Sequence, residues 1–192
     1  MLQALGILLL IIFLILSAQM RRNKSKIHPE YTETRNKIFN FSADPHFNDT
    51  KKIQLIIIEM DYEGGRVTTA IYPNGRSIHL ESGTAPTKYG DREQQPDYVV
   101  KAAEHLFEQA QLILPAAKPT NNTSFPAKNG IHFHLLSSEG HFIIQSDIIE
   151  VTRLKSPLKS FQDALSFYNK ELAAAEHNRQ FASGSQYVVI ED

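Results

Sequence analysis

A chain of 192 residues that sets 20 lysines and arginines against 21 aspartates and glutamates carries a formal charge of −1, so it lacks the basic excess that a nucleic-acid-binding face requires. It has no cysteine, which excludes disulfides, thiol nucleophiles and thiolate metal sites together. Its length beyond the N-terminal apolar run suits one compact domain rather than two.

From Leu2 to Ala18 there is no charged residue, and a helix of that length reaches about 26 Å, close to a bilayer core. Residues 1–19 are therefore expected to form an uncleaved single-pass transmembrane helix. Arg21, Arg22, Lys24 and Lys26 follow it and resist translocation, which places the protein in the cell (inner) membrane with its domain on the cytoplasmic side. The alternative is a signal peptide cut near Ala18, exporting the domain, although Leu16-Ser17-Ala18 has no small residue at the outer position.

Residues 20–52 are polar, contain Pro29 and Pro45, and read as a juxtamembrane stalk with a short helix near Tyr31 to Phe39. The globular domain is expected over 53–180. Ile53 to Met60, "IQLIIIEM", is a buried strand. "RVTTAIYPNGRSIHLES" is a hairpin turning at Asn74-Gly75. With Tyr72 opposite Ser77, one face carries Val67, Thr69, Ile71, Ile78 and Leu80, and the wet face carries Arg66, Thr68, Tyr72, His79 and Glu81.

Pro96 and Asp97 open a helix reaching about Leu114, with Val99, Ala103, Leu106, Ala110 and Ile113 on one stripe and Pro115 ending it. After a proline- and asparagine-containing loop over 115–129 comes a second hairpin, residues 131–147. It sets Ile131, Phe133, Leu135, Phe142 and Ile144 on one face and His132, His134, His141, Gln145 and Asp147 on the other. A last helix has Ser156 as N-cap and Pro157 at its first position, with Leu158, Phe161, Leu165, Tyr168 and Leu172 as its apolar stripe, and ends near His177. Residues 181–192 form a tail whose "YVVI" could add an edge strand. The order βββαββα predicts an α+β fold: a five-stranded antiparallel sheet with two helices on one face and the histidine face left open.

The succession Asp61, Gly64-Gly65-Arg66-Val67-Thr68, Asn74-Gly75-Arg76-Ser77, His79-Leu80-Glu81-Ser82-Gly83, Val100, Ala102-Ala103, Phe133, Leu135-Leu136 and Gly140 resembles a group of small uncharacterised bacterial proteins. The resemblance spans residues 53–147 and implies a strand, hairpin, helix and hairpin in that order, with no known activity. Where that group has a glycine-rich loop, this chain has "ESGTAPTKYGDREQQ", so no phosphate cradle is expected.

His132 and His134, two apart on a strand, share a face and could hold a metal with Asp147 or Gln145 of the paired strand; the commoner reading is two solvent-facing histidines and no metal or other cofactor. Glu59 and Asp61 have the spacing of paired acids, but a turn cap or an ion pair with Arg66 is the simpler role. Ser183-Gly184-Ser185 lacks the context of a nucleophile elbow, and no nucleotide-binding fingerprint is present. The Asn-x-Ser/Thr matches at Asn23, Asn40, Asn48, Asn121 and Asn122 read as chance.

The function these features suggest is a membrane-anchored protein-binding or scaffolding module, more readily a binder than an enzyme, with Tyr72, His79, His132, His134 and His141 as binding candidates. Its partners would be the membrane, through residues 2–18, and a protein. One variant, suggested by the bacterial resemblance and the small size, is an immunity-like protein that neutralises a toxin. The alternative class is a metal-assisted enzyme using His132, His134 and Asp147.

Overall fold

The computed structural model describes residues 27–40, 52–62, 65–89, 95–152 and 158–184. Its elements in chain order are α1 (Pro29–Phe39), β1 (Ile53–Tyr62), β2 (Gly65–Ile71), β3 (Ser77–Glu81), β4 (Thr87–Tyr89), α2 (Asp97–Ile113), a 3₁₀ turn (Leu114–Ala116), β5 (Lys118–Pro119), β6 (Gly130–Ser137), β7 (Gly140–Asp147), α3 (Ile148–Thr152) and α4 (Lys159–Gly184). The strands form one sheet in the order β4-β3-β2-β1-β6-β7-β5, and every neighbouring pair is antiparallel.

The α+β class therefore holds, but the sheet has seven strands rather than five. The two additional strands, β4 and β5, have three and two residues, too few to show a period in sequence. Among the described residues no helix is long and apolar enough to cross a membrane. The described fold therefore contains no transmembrane helix, against the expected single-pass element and the inner-membrane placement drawn from it. The expected anchor over 1–19, its flank Arg21, Arg22, Lys24 and Lys26, and the cut at Ala18 lie outside the described residues. So do the Ser156 and Pro157 cap and the "YVVI" of the tail. The last helix continues past His177 to Gly184, taking in Ser183 and Gly184.

β1 is central because its apolar run can be buried on both faces. One face carries Ile56, Ile58, Ile71, Ile131, Phe133 and Leu135 and is covered by α2 and α4. α2 contributes Val99, Ala102, Ala103, Leu106 and Ala110; α4 contributes Phe161, Ala164, Tyr168 and Leu172. Small residues on α2 let it pack closely against α4, and Phe133 meets Phe161 edge-on at 5.4 Å between ring centroids. Each large aliphatic or aromatic side chain buried here contributes about 1.5–3 kcal/mol.

The opposite face, expected to be wet, is covered as well. Leu55, Ile57, Ala70, Leu80 and Leu136 pack there against Tyr31 and Ile38 of α1, with Phe39, Tyr72, Ile78 and Phe125 at the margin. Part of the segment read as a stalk is thus a third layer of the domain.

The first hairpin is shifted by one residue from the expected register. Ile71, not Tyr72, pairs with Ser77, so Ile78 and Leu80 join Thr68 and Ala70, while Val67, Thr69 and Ile71 share a face with His79 and Glu81. The cause is the loop. The Gly75 N–H donates to the Tyr72 carbonyl (3.0 Å) and the Tyr72 N–H to the Arg76 carbonyl (2.9 Å), closing a type I turn with Pro73 and Asn74 at its corners. Gly75, at φ +77°, follows as the left-handed residue of a three-residue loop. A two-residue Asn-Gly loop would have placed Pro73, which has no N–H, in the ladder. The second hairpin has the two-residue loop Ser138-Glu139, and its Phe133–Ile144 and Leu135–Phe142 pairs lie on one face.

Candidate functional site

The two central strands and the second hairpin bring three groups together on the α1-covered face. Glu59 on β1 pairs with His132 on β6, and His134 sits two residues along the same strand. Glu59 and His134 are 0% exposed and His132 is 7% exposed. One carboxylate oxygen and one nitrogen from each histidine all lie within 4.8 Å of one another.

Arg35 of α1 holds Glu59 in a bidentate pair, Nε to Oε1 at 2.6 Å and an Nη2 donor to Oε2 at 2.8 Å. The Thr68 hydroxyl donates to Oε1 at 2.8 Å and is itself bonded to the Tyr31 hydroxyl at 2.9 Å. Arg35 also donates to the Thr123 carbonyl and lies between the rings of Phe39 and Phe125, 4.6 and 4.1 Å from their centroids. Tyr31, Arg35 and Ile38 fall at i, i+4 and i+7, which is why one helix face delivers them together.

On the histidine side, His134 Nε2 is 3.4 Å from Glu59 Oε2, long for a hydrogen bond, and its Nδ1 is 2.8 Å from His141 Nε2. His132 Nε2 is 3.1 Å from Gln145 Nε2. His132 Nδ1 and His134 Nε2 are buried without a well-formed hydrogen bond. The His132 and His134 rings are nearly perpendicular, 5.6 Å apart.

The electrostatics follow from this packing. Burial pushes the Glu59 carboxyl up, but the close contact of His134, the hydrogen bonds from Arg35 and Thr68 and the charge of Arg35 outweigh it and hold the group below its ordinary value. Burial and then the neighbouring His134 lower His132, although the charge of Glu59 and the nearby Ser124 backbone oppose the shift, and the same two main causes bring His141 down to about 4 against the pull of Glu59. Burial raises the Tyr31 hydroxyl to about 12. At neutral pH the cluster is one carboxylate balanced by one guanidinium, with His132 and His141 uncharged.

Of the residues singled out by sequence, His132, His134 and His141 are gathered here. Asp147 is not part of the cluster: it stands opposite Gly130 at the end of β7, and its Oδ1 accepts the Glu150 N–H (2.6 Å) at the start of α3. Tyr72 packs at the margin of the α1-side core. His79 lies on the other face of the sheet, bonded to Thr69 (3.0 Å) and near Glu81 (3.4 Å). Asp61 binds Arg66 at 3.0 Å, the structural role expected of it, whereas Glu59 proves central. Sequence reading did not find Arg35, Tyr31 or Thr68. The available signal was an acid inside an otherwise apolar strand, which demands a buried cation.

Comparison with protein-family models, with curated proteins and with solved structures finds no match to this chain.

Proposed function

We propose that the domain is a protein-binding module that takes an extended segment of its partner at the outer edge of β7. The observation behind this reading is an incomplete edge. β5 covers β7 only at Phe142 and Ile143, and among the described residues no strand lies beyond β7 from Ile144 onward. The His141 carbonyl points outward, where it accepts the Thr120 N–H at 2.8 Å, so by alternation the N–H and C=O of Gln145 also point outward. Ile149, 65% exposed, stands in the first turn of α3 immediately after β7 and offers an apolar anchor. Main-chain pairing would supply affinity and the anchor would supply selectivity, the mode of strand addition.

This reading moves the contact surface away from Tyr72, His79, His132 and His134, which are occupied in packing or hydrogen bonds. The metal-assisted enzyme has less support: Glu59 and His134 have no exposed surface, and α1 lies between them and any substrate.

A display library of extended peptides, selected on the full chain, tests the proposal. Binders should be lost with Gln145→Pro, which removes the outward N–H, and with Ile149→Asp, yet kept with Gln145→Asn. Binders indifferent to both changes, or retained only by another surface, would remove the edge from consideration.

A further inference from the structure

The geometry points to a divalent-metal site of the zinc class formed by Glu59 Oε2, His134 Nε2 and His132 Nδ1, with a fourth position for water or another donor. Three observations converge on it. First, His132 Nδ1 and His134 Nε2 are the two histidine nitrogens of the buried cluster without a well-formed hydrogen bond, and one nitrogen of each of these histidines lies with a Glu59 carboxylate oxygen inside 4.8 Å. Leaving two such nitrogens unpartnered is unfavourable in a core.

Second, the 3.4 Å between His134 Nε2 and Glu59 Oε2 is long for an N–H···O bond, but it equals the separation of two ligands placed tetrahedrally around a zinc ion at about 2.0–2.1 Å. Glu59 has the capacity to ligate. Arg35 Nε and Thr68 take both acceptor positions of Oε1, while Arg35 Nη2 takes only one of Oε2, leaving a lone pair on the histidine side.

Third, the outer hydrogen bonds are those a metal-ligating histidine needs. With Nε2 on the metal, His134 carries its proton on Nδ1 and donates to His141 Nε2 at 2.8 Å. With Nδ1 on the metal, His132 carries its proton on Nε2 and donates to Gln145, once the side-chain amide is turned to present its oxygen at the 3.1 Å contact. The two unpartnered nitrogens and both neighbouring contacts are then satisfied together. Neutral imidazole and carboxylate donors in a four-coordinate arrangement select zinc-like ions over calcium or magnesium, which prefer oxygen shells. Arg35 counts against affinity because it already neutralises the carboxylate, so the site is expected to bind less tightly than a site with a free acid.

The test is titration of the metal-free full chain with Zn(II) and with Co(II). The expected result is about one equivalent bound, visible Co(II) absorption of tetrahedral strength, and a raised melting temperature. His132→Ala and His134→Ala should each abolish the Co(II) spectrum. His141→Gln, which touches only an outer contact, should weaken binding by about tenfold or more. Melting of each variant without metal separates loss of a ligand from loss of the fold; if His134→Ala does not fold, His132→Gln carries the test. Binding that survives the change at His132, or no saturable binding by the native chain, would overturn the assignment.

Discussion

Arg35 and Glu59 lie 24 residues apart in the chain, in a helix and a strand that share no hydrogen-bonded ladder, yet they form the bidentate pair that ties α1 to the centre of the sheet. Glu59 is wholly buried, so its charge depends on this contact, the hydroxyl of Thr68 and the nearby His134 ring. Arg35→Met should destabilise the domain by about 3–5 kcal/mol, because it leaves an uncompensated buried carboxylate. Adding Glu59→Leu to that variant should recover much of the loss. Urea denaturation of both variants measures this, and a single-variant cost under about 1 kcal/mol would mean that α1 is held by its apolar contacts alone.

Acid should weaken the metal-free fold in two stages. The folded His141 has its pKa at about 4 against an ordinary 6.5, so at neutral pH it is uncharged in both states. Below pH 6.5 the unfolded chain takes the proton first, and stability falls until about pH 4; His132, also lowered, acts in the same sense. Glu59 is held below its ordinary 4.5, so its contribution is present above that value and disappears as pH falls through the folded pKa. Denaturation midpoints across this range should fall monotonically, with His141→Asn flattening only the upper part. A midpoint constant between pH 6.5 and 4.5 would contradict the environment described for His141.

Gly75 supplies the left-handed residue of the first hairpin, with Val99 Cγ1 only 3.3 Å from where a Cβ would sit. Gly75→Ala should cost about 1–2 kcal/mol. Gly75→Asn should cost less, since asparagine tolerates this backbone region better. Thermal melts of the two variants test the ordering; equal stability for native and alanine forms would argue against the turn.

α2 separates core from surface within two turns. Leu106 is completely buried and Leu112 is 72% exposed. Leu106→Ala should destabilise by about 2–5 kcal/mol, while Leu112→Glu should stay within about 0.5 kcal/mol of the native chain. A large effect at Leu112 would mean that a further surface covers it in solution.

Much of this architecture is legible where hydrophobic period and turn chemistry agree. α2 and the 131–147 hairpin are of that kind, because Pro115 and the Ser138 to Gly140 turn punctuate clear patterns. The 66–82 hairpin was readable as a hairpin but not in register, because Pro73 selects the three-residue loop over the Asn-Gly pair beside it. The covering of the second face was not legible, since α1 presents a tyrosine, an arginine and an isoleucine where an apolar stripe would have signalled burial. The cluster itself required knowing that β1 pairs with β6. Without that seam Asp147, on the strand next to the histidines, is the natural third ligand, and with it Glu59 takes the place.

The position of β1 between β2 and β6 also sets an order of events for the nascent chain. Its β2 partner follows at once, whereas Ile58 must wait for Phe133 and Glu59 for His132. Both hairpins are local and close quickly; the seam between them is distant in sequence and carries the entropic cost of a large loop. Until β6 is synthesised, one edge of "IQLIIIEM" is exposed to other chains, so the interval before residue 137 emerges is when this protein is most prone to aggregate.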